Sequence, residues 1–105
     1  MTSFQAHTAP NLTRQISMIS VENFVGGRFL SELDASGRKD KLITEGTILG
    51  ARHDWGKLAL HIKVDHGAEL KINYLLKDFE NPESSVQPDK IVLATKNHKL
   101  TVTRS

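Results

Sequence analysis

The chain has 105 residues, of which 38% are hydrophobic and 25% charged, with a formal net charge of +2 and no cysteine. That length fits one domain and buries roughly two-thirds of the unfolded surface, enough for a single core. The lack of cysteine excludes a disulfide scaffold, a thiol nucleophile and every thiolate-ligated zinc or iron–sulfur site, and no apolar run reaches the ~18 to 20 residues that a membrane helix needs.

The first stretch, "MTSFQAHTAPNLTRQ", has neither the basic nor the apolar region of a secretory signal, and its one arginine is thin for an organelle-targeting peptide. The expectation is a cytoplasmic protein with a polar arm over residues 1–15 and a single β domain over 16–105. Within "APNLTRQISMISVENF", Leu12, Ile16 and Ile19 share one face of a helix, while an alternating strand through Ile16 to Val21 fits nearly as well. The short helix is preferred, and Gly26-Gly27 ends either element.

"RFLSEL" then reads as a strand and "DASGRKD" as a turn into a second strand from about Lys41 to Arg52. Gly46 and Gly50 interrupt that strand, and glycine inside a strand suggests a bulge or bend, the device that curls small sheets. A four-residue loop His53-Asp54-Trp55-Gly56 sets Leu49 opposite Leu60 and Ala51 opposite Leu58.

The clearest pattern follows. Leu58, Leu60, Ile62 and Val64 alternate with Lys57, Ala59, His61 and Lys63, and Leu70, Ile72, Tyr74 and Leu76 alternate with Glu69, Lys71 and Asn73. A slip of one residue would oppose an apolar face to a polar one. A three-residue Asp65-His66-Gly67 loop pairs Val64 with Ala68, Ile62 with Leu70, Leu60 with Ile72 and Leu58 with Tyr74, places Lys63 against Glu69, and calls for a left-handed Gly67.

"KDFENPESSVQPD" reads as a loop. "KIVLATK" and "KLTVTRS" flank a two-residue turn at Asn97-His98, which aligns Leu93 with Val102 and Thr95 with Leu100, and leaves "LTVTR" as a sheet edge. The fold expected is all-β and mainly antiparallel: a small curled sheet or barrel of about six strands with a short amino-terminal helix or arm. It is similar to the SH3-like, Sm-like and OB-type barrels in strand count and order alone, a likeness that carries little functional weight.

For function, "RHDWGKLALHIKVDHG" draws notice with three histidines, two aspartates and the single tryptophan. A shared metal needs ligands that converge, yet His53 and His66 fall at opposite ends of one strand, roughly 30 Å apart at ~3.3 Å per residue. No G-x-S-x-G elbow and no phosphate-loop spacing occurs. Neither a metal, a cofactor nor an enzymatic activity is therefore expected.

Lys57, His61, Lys63 and Lys71 share the outward face of the central hairpin, with Arg52 at a strand end and Trp55 in the loop. Cations that track phosphates beside a ring that stacks on bases are the means of single-stranded nucleic-acid binders. These six residues form the candidate surface for nucleic acid or a nucleoprotein assembly. Lys96, Lys99 and Arg104, in an acid-free end that contributes to a sequence pI near 9.0, form a secondary one. The alternative is a protein-interaction, accessory or inhibitory subunit, or a homo-oligomer, using the edge strand and an apolar strip of Ile48, Leu75, Val92 and Ala94.

Overall fold

The computed structural model describes residues 11–34 and 41–105; the first ten residues of the expected arm and most of the "DASGRKD" turn lie outside them. The described residues open with helix α1 (Leu12–Ser17), capped where Asn11 Oδ1 accepts from the Arg14 amide at 3.1 Å. Leu12 and Ile16, four residues apart, point to the same side and are buried. A 3-10 turn at Val21–Phe24 adds Val21 and Phe24 to the core.

Among the described residues seven strands follow: β1 (Arg28–Asp34), β2 (Lys41–Asp54), β3 (Lys57–Val64), β4 (Glu69–Leu75), β5 (Ser85–Gln87), β6 (Lys90–Ala94) and β7 (His98–Thr103). They form one curled, half-barrel sheet in the order β4-β3-β2-β1-β7-β6-β5, every neighbouring pair antiparallel. The all-β fold is as expected, with one strand more than anticipated. That strand, β5, lies in the segment expected to be a loop, and a 3-10 turn at Leu76–Phe79 takes the start of that segment together with Leu76, which was expected to continue the strand of Leu70, Ile72 and Tyr74.

β2 holds the sheet together. Its first half pairs with β1 and its second half with β3, a stagger of the kind that curls a sheet. Leu49 is an extra residue between the Ile48–Ile62 and Gly50–His61 pairs, so the bulge foreseen from the glycines is present. It turns Ile48 inward to complete burial and leaves Leu49 exposed. Gly46 allows the close crossing at Val64, because a Cβ there would stand 2.4 Å from the Lys63 carbonyl oxygen.

The inner face carries Phe29, Ile48, Leu58, Leu60, Ile62, Ile91, Leu93, Leu100 and Val102, and α1 with the two 3-10 turns closes over it. Ser84 is the one buried polar residue among those described; its hydroxyl donates to the Phe79 carbonyl at 2.7 Å and accepts from the Ala94 amide at 2.9 Å. This ties the 3-10 turn to the end of β6. Among the described residues no helix is long and apolar enough to cross a membrane.

The β3–β4 register agrees with the expected pairing at every position, Lys63–Glu69 included. Its turn differs. The Gly67 amide donates to Val64 O at 3.0 Å, and His66, not Gly67, takes the positive φ of 59° that the second central residue of a type II turn requires.

The β2–β3 loop has two residues, not four. Trp55 (φ 47°) and Gly56 (φ 82°) form a turn of the I′ kind. Ala51 therefore faces Leu60 rather than Leu58, and His53 faces Leu58. The last hairpin turns at Lys96-Asn97 rather than Asn97-His98, since Thr95 Oγ1 accepts from both the Asn97 and His98 amides. That pairs Leu93 with Leu100 and Ile91 with Val102.

β7 is not an edge, because it lies between β1 and β6. Of the residues expected to form an outer apolar strip, Ile48, Val92 and Ala94 are buried and only Leu75 stays exposed.

Candidate nucleic-acid interface

The registers decide which side chains share the outer face of β2–β3–β4. One row runs Arg52, Ala59, Asn73; the next runs Gly50, His61, Lys71. Since Gly50 and Ala59 are small, the face sinks between them into an open groove of about 420 Å³, rimmed by Arg52, His61, Lys71 and Asn73. Three of the six residues singled out in the sequence meet there.

The other three extend the groove. Lys57 follows on the outer face of β3 beside Asp54 and Leu75, with Trp55 at the adjoining turn. The Trp55 side chain does not fold back over the core: the residue is 91% exposed. Lys63 is less available, because its ammonium donates to the Gly67 carbonyl and, at 3.3 Å, to Val64 O.

Acids interrupt the basic face. Arg52 is 4.0 Å from Asp54, both well exposed. His61 Nε2 lies 2.8 Å from Glu69 Oε1, and Glu69 also stands directly opposite Lys63. A cation missed in the sequence, Arg28, lies on the same face of β1 and binds Asp65 through both guanidinium nitrogens while reaching Thr47 Oγ1 at 3.0 Å. The paired guanidinium holds the Asp65 carboxyl below the usual carboxylate range. Arg28 thus pins the β3–β4 turn and is committed within the chain.

The three histidines between Arg52 and Gly67 do not meet. His61 is on the outer face, His66 in the β3–β4 turn and His53 on the inner face near the opposite end of β3, where its Nε2 is buried without a hydrogen-bond partner among the described residues. Among those residues no group of three or more His, Asp or Glu is placed to hold a metal ion.

The secondary cations are separated as well. Lys96 and Lys99 line a cavity of about 190 Å³ with Lys41 and the acids Glu32, Asp34 and Glu83, so charge there is mixed. Arg104 is exposed, its amide donating to Asp89 O at 3.0 Å.

On the inner face, His98 Nε2 lies 2.8 Å from Ser31 Oγ, with the rings of Tyr74 and Phe79 about 6 Å away. Burial lowers the His98 pKa and pushes the Tyr74 hydroxyl up to about 12. No spacing in the sequence announces this cluster, because its members come from β1, β4, the 3-10 turn and β7. The floor of the groove was equally hidden, since the Gly50–His61 pairing depends on the bulge. Compared with protein families, curated proteins and solved structures, the chain finds no match.

Proposed function

We propose that this chain is a non-enzymatic β module that binds single-stranded nucleic acid, alone or within a nucleoprotein, across the outer face of β2–β3–β4. The observation that carries the reading is Trp55. A bulky residue in the left-handed region costs on the order of 1–3 kcal/mol, and a side chain 91% exposed recovers none of it by burial. A turn of this kind prefers Asn or Gly at that position. A tryptophan held out at such a cost, beside Arg52 and Lys57, suits stacking on a base.

The groove fits the same use. Arg52, Lys57 and Lys71 track phosphates, His61 and Asn73 offer hydrogen bonds to base edges, and the low floor at Gly50 and Ala59 admits a sugar or base. About three phosphate contacts give a slope near 2 for the fall of log affinity with log salt.

The test is a titration of single-stranded RNA and DNA at low and moderate salt, followed by the fluorescence of the single tryptophan. Salt-sensitive quenching that is lost in Arg52→Gln/Lys71→Gln supports the proposal. No binding at low salt removes it.

A further inference from the structure

We propose that the free edge of β4 joins a second copy of this chain, β4 against β4, in an antiparallel pair centred on Ile72. Among the described residues the sheet ends at β4 and at β5. β5 has three residues and α1 packs against it, whereas β4 offers seven. Edge strands commonly resist pairing through proline, a bulge or an inward-pointing charge. Residues 69–75 have none of these, and the two charges, Glu69 and Lys71, lie on the outer face.

Among the described residues the hydrogen-bond phase leaves the required groups without a partner. Val64 N donates to Ala68 O at 3.0 Å and Leu76 N to Gly56 O at 2.9 Å. Alternation then commits the backbone of Leu70, Ile72 and Tyr74 to β3, and turns the amides and carbonyls of Glu69, Lys71, Asn73 and Leu75 outward.

These outward groups bond in pairs only if the two residue numbers sum to an even value, which also keeps the inner faces of both copies on one side. Centring on Lys71 would set two lysines opposite each other, a repulsive pair. Centring on Asn73 leaves Leu70 beyond the paired strand. Centring on Ile72 uses all seven residues. It sets Leu70 of each copy against Tyr74 of the other and Ile72 against Ile72, which extends the apolar row across the two-fold axis and covers Leu70, now 40% exposed. Lys71 then faces Asn73. The same patch serves both copies, as an isologous dimer demands, and the inference is independent of what the outer face binds.

The chain has no cysteine, so a single introduced one reports its own pairing. Ile72 sits at a non-hydrogen-bonded position of the proposed pair, where Cα atoms are ~4.5 Å apart and within disulfide reach. Ile72→Cys should oxidise to a covalent dimer at least about tenfold faster than Leu49→Cys, because opposed thiols act at high effective concentration. Light scattering over a wide protein concentration range should show a wild-type dimer. It should be lost in Leu70→Lys and in Asn73→Pro, each checked for folding by circular dichroism; the proline removes an amide that β3 does not use. A wild-type monomer at all concentrations, a dimer that survives either folded variant, or equal oxidation of the two cysteine variants would overturn the proposal.

Discussion

His61 Nε2 contacts Glu69 Oε1 at 2.8 Å along the diagonal between β3 and β4, which places a carboxylate inside the most basic face of the sheet. Both side chains are substantially exposed, so the pair adds little to stability. Its effect is on the field. In Glu69→Gln a charge that repels phosphate disappears, a change on the order of 1 kcal/mol at contact distance in water. Affinity for single-stranded nucleic acid should rise about fivefold at low salt, and the gain should shrink as salt screens it. Fluorescence titration of the two proteins at two salt concentrations checks this.

Trp55→Asn should separate stability from binding. Asn tolerates the positive φ that Trp55 holds at 47°, so the variant should be more stable by about 1 kcal/mol. Its affinity for single strands should drop by the ~1 to 3 kcal/mol of one stacked base. Denaturant midpoints and a labelled-oligonucleotide titration measure the two effects. A variant that is both less stable and equally tight in binding would contradict the assignment.

The inner cluster predicts the limits of stability with pH. Burial lowers His98 below its ordinary 6.5. The unfolded chain therefore takes up that proton first, and the stability held in neutral His98 is complete above pH 6.5 and declines as pH falls through the folded value. Tyr74 works at the other end: its pKa rises from 10.0 to about 12, so stability present below pH 10.0 is lost between pH 10.0 and about 12. The chain has a single tyrosine, and phenolate absorbance therefore reads this titration directly. His98→Gln should flatten the acid limb without changing the alkaline one.

Ser84→Ala should destabilise the fold by about 1–3 kcal/mol, because it leaves the buried Ala94 amide without an acceptor. Urea unfolding should show a lower midpoint with an unchanged slope. The loss should exceed that of Ser17→Ala, whose hydroxyl bonds Arg14 O on an exposed turn.

The β3–β4 register was legible, since two strict period-2 runs admit one pairing that keeps Leu58, Leu60 and Ile62 on the same side as Leu70, Ile72 and Tyr74, but not its turn, where His66 instead of Gly67 takes the positive φ. The strand at "RFLSEL" is present, and so is the helix preferred over a nearly equal strand through Ile16 to Val21, although it ends at Ser17 and leaves Ile19 outside. Of the candidate surface, alternation correctly turned Lys57, His61, Lys63 and Lys71 outward. It could not show that Lys63 is engaged by its own turn or that Glu69 belongs to His61, because these contacts depend on side-chain geometry at a turn and along a diagonal.

Local pattern in the amino-acid sequence settled the fold class, the central hairpin and its basic face, because alternation within one strand pair needs no information from elsewhere. Tertiary structure alone decided the rest. The glycines announced a bulge in β2 but not its place at Leu49, which reverses the alternation so that Ile48 enters the core and Gly50 falls opposite His61 to form the floor of the groove. Strand order likewise arises from long-range pairing: β7 lies between β1 and β6, and among the described residues the sheet ends at β4 and β5. Both depend on which distant strands close against one another, a choice made by burying the whole inner face at once and not by any single segment.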